Sequence, residues 1–394
     1  MSEKIRVLIV DDSALMRNLI SKIVESAPNL EVADTAMNGQ FALDKIPRCN
    51  PDVILLDVEM PVMNGLQFLQ ERKNQKIDIP VVMLSSLTSE GATVTMQCLE
   101  KGASDFIQKP SGSISLDIQK VAQQITEALT SYGGSYAKKK RGLTGSALHT
   151  YLNIDAAPET KGPQKTAEQY AAEKMPLTFE TPLWASPAPK APAEIKPVRE
   201  PGKIEVIAIG ISTGGPNALR EVVPHLNIKI KQPILIVQHM PAGFTKEFAA
   251  SLNNICPLAV KEAEDGDVLK RGQIYIAPGN HHIVVMKKGL DHIIRVLDTP
   301  QRNGHRPSVD VLFESVGMVF QNHALGIIMT GMGGDGAKEL AEMRRQGART
   351  LGQDEDSCIV YGMPKVAYEM GGVQEQVPLN MMAKRINEIA LADN

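Results

Sequence analysis

Two doubly wound α/β domains are predicted for this 394-residue chain, one a five-stranded parallel sheet, the other mainly parallel with an antiparallel hairpin. Three observations predict them. Short apolar runs alternate with amphipathic segments over the first part of the chain. The same alternation resumes near Lys203. Between them lies a stretch dense in Pro, Ala, Lys and Glu. Strands that alternate with helices build parallel sheets through right-handed crossovers. Continuous apolar runs mark strands buried on both faces. The domains are read as residues 1–125 and 203–394, joined by a Pro-rich linker at 126–202.

In the first domain IRVLIV, EVADTA, DVILLD, PVVMLSS and DFIQK read as strands. SALMRNLISKIVE reads as a helix, with Leu15, Leu19, Ile20 and Ile23 sharing a face. The linker follows, with KKKR at Lys138–Arg141 near its start and PLWASPAPKAPAEIKPVREPG at its end. Its prolines remove backbone donors and block helix and sheet, so it reads as extended and mostly disordered. The lone Trp184 inside it is either a docking anchor or an incidental exposed aromatic. In the second domain KIEVIAIG, QPILIVQH, QIYIAPG, HIVVMKK, ALGIIMT and ARTLGQ read as strands. PNALREVVPHL, TKEFAASLNNI, SVDVLFESVGMVF and GAKELAEMRRQG carry helical patterns. IYIAPG and HHIVVMK are read as the two arms of the hairpin.

Composition narrows the function. Net charge is −3 and the pI about 6.3, which gives no field for nucleic acid or an anionic membrane. A DNA-binding second domain would show a basic recognition helix, and none is found. No apolar run approaches the roughly 20 residues of a membrane span. The opening MSEKIRVLIVDD is a strand and not a signal peptide. Cys49, Cys98, Cys256 and Cys358 are scattered without a C-x-x-C pair, as suits a reducing cytoplasm. A cytoplasmic monomer is expected, with no membrane insertion and no nucleic-acid partner.

Polar groups gather at the strand ends of the first domain. Asp11 and Asp12 follow IRVLIV, Asp57 ends DVILLD, Ser85 ends VVMLS and Lys109 ends DFIQK. The carboxyl edge of a parallel sheet is where ligands bind. Three converging carboxylates repel one another, and an all-oxygen site that relieves this suits Mg²⁺. Any one of these acids alone reads as a helix cap. With VDDS, LLDVEMPVMNG, MLSS and QKP in place, residues 3 to 125 resemble a two-component response regulator receiver. The resemblance implies that Asp57 accepts a phosphoryl group from a chemotaxis histidine kinase. It implies Mg²⁺ held by Asp11, Asp12, Asp57 and the backbone of Glu59. It also implies Ser85 and Lys109 as the residues that sense the phosphoryl group.

In the second domain the stretch VIAIGISTGGPNAL runs from a strand through a glycine-rich turn into a helix. GISTG fits the G-x-S-x-G pattern of a nucleophile elbow, with Ser212 at its crest. The pattern is weak alone: a serine before a helix is more often a cap, and a glycine-rich turn can bind phosphate. A dinucleotide site is disfavoured, because G-x-x-x-G-G lacks the required spacing. A nucleophilic serine needs a base, and the base an orienting acid. His239 ends the buried strand PILIVQH, and Asp335 lies in the glycine-rich turn after ALGIIMT. Asp335 also reads as an N-cap for the following helix, while Asp265, Asp267 and Asp310 are weaker rivals. The order Ser, His, Asp departs from the Ser, Asp, His of α/β-hydrolases.

IGISTGGP, VQHMPAGFT, VKEAEDGD, YIAPG, RPSVDVLFESV, MTGMGGDG and YGMPKVA occur in this order from Lys203 to Ala390. They resemble the catalytic domain of the chemotaxis protein-glutamate methylesterase. The resemblance implies Ser212 as nucleophile, His239 as general base and acid, and Asp335 as orienter. It suggests the backbone N–H groups of Thr213 and Met332 as the oxyanion hole. Methylated chemoreceptors are the implied substrate and no metal is implied in this domain. Ile211 and Gly334 depart from the smaller residue and the asparagine common in the family, and neither removes a reacting group. Arg302 and Arg306 in QRNGHRPS are read either as contacts to an acidic receptor helix or as solvated surface. An adaptor that only binds receptors is the remaining alternative, which the intact Ser212, His239 and Asp335 set disfavours.

Overall fold

In a computed structural model of the chain, residues 4–86, 88–109, 116–141 and 192–392 are described. Trp184, Pro110 and linker residues 142–191 lie outside them. In the first domain β1 (Ile5–Val10), β2 (Leu30–Ala36), β3 (Val53–Asp57), β4 (Val81–Ser85) and β5 (Asp105–Gln108) form one parallel sheet. Its order is β2-β1-β3-β4-β5. Helices α1 (Ala14–Ser26), α2 (Gly39–Cys49), α3 (Gly65–Asn74), α4 (Ser89–Glu100) and α5 (Leu116–Arg141) accompany it. β3 and β4 are buried at every position, as continuous apolar runs demand. The Ser13 side chain caps α1 by accepting from the Met16 N–H. α1 buries Ile20, Ile23 and Val24. Leu15, expected on that face, is 77% exposed, because the buried stripe begins one turn later.

α5 carries on to Arg141, so the basic run belongs to a helix and not to the linker. The helix is held there by Lys140 Nζ, which donates to Asn50 Oδ1 at 2.7 Å and meets Asp52 Oδ1 at 3.3 Å. Gly133 lets α5 lie close to the sheet: a Cβ there would come 2.4 Å from Ile5 Cγ2 and 3.0 Å from Val53 Cγ1. Two effects compete on Gly133→Ala. Alanine favours a helix interior by about 1 kcal/mol over glycine, while overpacking a tight contact costs roughly 1–3 kcal/mol. Ile5 and Val53 are fully buried and cannot move aside, so overpacking wins. The variant is expected to unfold at lower urea concentration with an unchanged slope.

In the second domain seven parallel strands stand in the order β14-β13-β12-β6-β7-β9-β8. They are β6 (Val206–Ile211), β7 (Ile234–Gln238), β8 (Ala259–Glu262), β9 (Gln273–Ile276), β12 (Ala324–Ile328), β13 (Arg349–Gln353) and β14 (Glu375–Val377). The helices are α6 (Gly215–Val222), α7 (Phe244–Asn253), α8 (Val309–Phe320), α9 (Ala337–Arg345), α10 (Met363–Glu369) and α11 (Leu379–Leu391). The hairpin is formed by β10 (His282–Lys288) and β11 (Asp291–Leu297). Its arms therefore differ from the expected pair. HHIVVMK turns back at Gly289, whose φ of +65° suits a tight reversal, while IYI joins the parallel sheet between β7 and β8.

The end of the linker is laid along this domain. Ala193 N–H donates to the Glu369 carbonyl, Val198 N–H to Arg345 and Gly202 N–H to Asn322. Proline-rich chain cannot enter a ladder, but its remaining N–H groups still make these single bonds. Strand order reverses around β6, with β7 on one side and β12 on the other. Such a switch point opens a crevice at the strand ends. Among the described residues no helix is long and apolar enough to cross a membrane.

Candidate active site

Three strand ends meet at that crevice. Ser212 follows β6, His239 follows β7 and Asp335 lies in the turn after β12. Ser212 N–H donates to the Thr330 carbonyl, and His239 N–H to Ile211, so the turns are tied to the sheet. Gly331 permits close approach: a Cβ there would lie 2.7 Å from Ser212 Cβ. The buried Gln238 side chain donates to the carbonyls of Ser212 and His239, clamping the two turns together.

Ser212 Oγ lies 3.1 Å from His239 Nδ1, and His239 Nε2 lies 2.9 Å from Asp335 Oδ2. A carboxylate only accepts, so Nε2 carries the proton and Nδ1 offers its lone pair to the serine O–H. The imidazole is thus turned the opposite way from the serine protease arrangement, where Nε2 faces the serine. The side chains of His239 and Asp335 are 8% and 1% exposed, so water does not compete for this link.

Asp335 is held by more than His239. Its Oδ1 accepts from Ser308 Oγ at 2.7 Å, Asn303 Nδ2 at 2.9 Å and Asp310 N–H at 3.3 Å. Its Oδ2 also accepts from Val309 N–H at 2.6 Å. Burial works to raise its pKa, but the hydrogen bonds from His239, Ser308 and Asn303 outweigh it. The carboxyl is held well below the usual carboxylate range. The cap expected of Asp335 exists, on a different helix: it sits at the N-terminus of α8, where the macrodipole favours a negative charge. The N-terminus of α9 is met by Asp310, which accepts from the Gly336 and Glu339 N–H groups. Each acid caps the helix that the other one precedes or begins. Asn303 and Ser308 escaped the sequence reading; Ser308 directly before an apolar helix was the available signal.

Arg302 and Arg306 are engaged within the domain. Arg302 pairs with Glu314 and Glu339, and Arg306 donates to Asn280 Oδ1 and to the Thr299 carbonyl. Asp265 is paired with Arg295 and Asp267 with Lys261, away from the serine.

In the first domain Asp11, Asp12 and Asp57 bring ligand oxygens within 4.8 Å of one another. Lys109 Nζ lies 2.6 Å from Asp57 Oδ2 and 3.0 Å from Asp11 Oδ2. Glu59 N–H donates to Asp57 Oδ1 at 3.3 Å. Burial pushes the Asp57 carboxyl up to about 6 despite Lys109. Asp11 and Asp57 are buried and Asp12 is exposed, and a hard divalent cation suits such an oxygen-only set. A cavity of about 450 Å³ opens here, lined by Asp57, Ser86 and Lys109 among others. Ser85 faces elsewhere: it is buried and hydrogen bonded to Thr95 Oγ1 of α4 at 2.6 Å.

The two sites are joined through β5. Asp105 accepts from the Gly214 N–H at 2.9 Å, two residues beyond Ser212. Burial raises this carboxyl to about 6, against hydrogen bonds from Gly214, Phe106 and Tyr132. Phe106 stacks on Phe244 with centroids 4.8 Å apart. Asn217 Nδ2 donates to the carbonyls of Ala103 and Ser104, and Ser251 Oγ to Glu100. The first domain therefore packs against the loop that carries the serine.

Comparison with known proteins places the chain in a family. Residues 207–386 match the family model described as CheB methylesterase, and residues 7–120 that of the response regulator receiver domain. The crystal structure of the Thermotoga maritima CheB methylesterase catalytic domain is 34% identical, covering 48% of this chain and 100% of that one at a TM-score of 0.47. A protein-glutamate methylesterase/protein-glutamine glutaminase of Treponema pallidum is 52% identical, over 97% of this chain and 96% of its own. One of the same name from Treponema denticola is 54% identical over 98% of each chain. Identity of that degree along receiver, linker and esterase together makes this chain a member of the protein-glutamate methylesterase/protein-glutamine glutaminase family.

Proposed function

We propose that the chain is a phosphorylation-gated hydrolase that removes methyl esters from glutamate side chains of chemoreceptors, and deamidates glutamines there, with Ser212 as nucleophile. The relay from Ser212 Oγ through His239 to Asp335 carries this reading. His239 Nδ1 takes the serine proton as Oγ bonds to the ester carbonyl carbon. The oxyanion is met by the N–H groups of Thr213 and Met332; among the described residues, neither N–H is hydrogen bonded. The C–O bond to the methoxy group then breaks, and methanol leaves with the proton held on Nδ1. Water, deprotonated by the same nitrogen, attacks the acyl-enzyme and frees Ser212 and the glutamate. With a glutamine amide the leaving group is ammonia.

In the receiver, Asp57 takes the phosphoryl group from a chemotaxis histidine kinase. Asp11, Asp12, Asp57 and the backbone of Glu59 would hold Mg²⁺, whose charge when bound screens the acids from the phosphoryl oxygens. Lys109 and Ser85 turn towards the phosphoryl group, which draws Ser85 away from Thr95. β5 supports the coupling, because Lys109 follows it directly and it contains Asp105, which holds the serine loop, and Phe106, which stacks on the first residue of α7 beyond His239. A shift at the strand end thereby loosens the docked face and opens the site.

Methanol release from methylated receptor membranes tests this, with Mg²⁺ and with or without a small-molecule phosphodonor. Wild type is expected to release methanol, faster with the phosphodonor; no release under either condition overturns the reading. Phe106→Ala removes the ring stacked on Phe244 and weakens docking by about 2 kcal/mol. The open population then rises up to roughly 30-fold, so release without phosphodonor increases and the remaining gain on phosphorylation shrinks.

A further inference from the structure

One ring besides those of the relay lies against His239. His305 lies flat on His239, with ring centroids 3.9 Å apart and planes 9° from parallel. It is presented by a tight turn. Arg302 and His305 exchange both backbone hydrogen bonds, and Asn303 and Gly304 between them have φ of 53° and 77°. Positive φ at both central positions marks a primed turn, for which Asn-Gly is the favoured pair. The turn is braced on both sides by the ion pairs of Arg302 and the hydrogen bonds of Arg306. Its Asn303 and the following Ser308 hold Asp335. The same loop thus touches the acid and the base.

The stack supplies a restraint that the relay lacks. His239 is bonded at Nδ1 and Nε2, both in the plane of the ring. Two in-plane bonds leave the ring free to rock about the line joining them. Rocking bends both hydrogen bonds out of plane, and they weaken as the angle closes. A flat ring braced against the imidazole face opposes that rocking. We propose that His305 is a positioning residue for His239, acting through the flat face of its ring. This rests on the serine-esterase reading above. Misplacement of a reacting group by about 1 Å can cost 10²-fold in rate, so the restraint is large enough to measure.

The experiment compares full-length wild type, His305→Ala, His305→Phe, His305→Leu and Ser212→Ala in phosphodonor-activated methanol release, with kcat and KM separated and folding followed by thermal unfolding. His305→Ala is expected to lose about 10- to 100-fold in kcat, with KM within twofold of wild type. His305→Phe restores a flat face and is expected within about threefold of wild type, whereas His305→Leu, which fills space without a flat face, stays near the alanine variant. A folded His305→Ala with kcat within twofold of wild type overturns the proposal, and so does rescue by leucine equal to that by phenylalanine. If Ser212→Ala releases methanol as fast as wild type, the serine reading falls and this proposal with it. If Ser212→Ala is inactive and the His305 variants match wild type, only the proposal falls.

Discussion

Ser212→Ala is expected to cut kcat for methanol release by about 10⁵-fold or more, the size of loss seen when a nucleophile is removed from a hydrolytic triad. The variant loses the covalent route altogether. The protein itself stays folded, because alanine keeps the Cβ that packs against Gly331. Among the described residues the lost Oγ has a single hydrogen-bond partner, His239 Nδ1. Unfolding should therefore shift by less than about 0.5 kcal/mol, as for a change that buries no new polar group. Methanol assay and thermal unfolding on one preparation separate the two effects. A loss smaller than tenfold removes Ser212 from the mechanism.

Asp335→Asn is expected to cost about 10⁴-fold in kcat, and unlike the serine variant it also costs stability. Every group facing this side chain is a donor: His239, Asn303 and Ser308, and the N–H groups of Val309 and Asp310. However the amide is turned, its NH₂ meets other donors. If the NH₂ faces His239, Nε2 must accept and the proton moves to Nδ1, which then has no lone pair for Ser212. The helix α8 loses a negative charge at its N-terminus, and buried donors lose their acceptor, at about 1–3 kcal/mol each. The pH dependence gives a second reading. Asp335 has its pKa depressed in the folded state, so its contribution is complete above the usual carboxylate range and is lost as pH falls below it. The stability of wild type should therefore fall more steeply below about pH 4 than that of Asp335→Asn. Equal slopes would mean that Asp335 is not the ionised group the hydrogen bonds describe.

The alternation of apolar runs and amphipathic segments made the two sheets legible, because strands buried on both faces leave continuous apolar sequence. The residues that end those strands were legible for the same reason: Ser212, His239, Asp335 and Asp57 each follow or close such a run. β11 was not. Only its central Ile293 and Ile294 are buried, and the rest is partly exposed, so no continuous run marks it. Leu15 fits a helical stripe in sequence, but the sheet covers only later turns. Asn303 and Ser308 serve an acid some 30 residues on, and that pairing depends on where the N-terminus of α8 comes to rest. The orientation of the His239 ring and its stack on His305 exist only in three dimensions. Of the sequence, only the Asn303-Gly304 pair announced a turn beside them.

The reciprocal capping of α8 and α9 bears on how this enzyme can change by descent. With Ser212 as the proposed nucleophile and the small structural cost expected above for its loss, a lineage that needs only receptor binding would lose activity in one step. Asp335 cannot follow as freely, since helix α8 and two neighbouring side chains depend on its charge. An inactive descendant would keep the acid long after it lost the serine. In such a protein a well-placed aspartate would be a relic of architecture and no sign of turnover, and the identity of residue 212 would be the informative position to read.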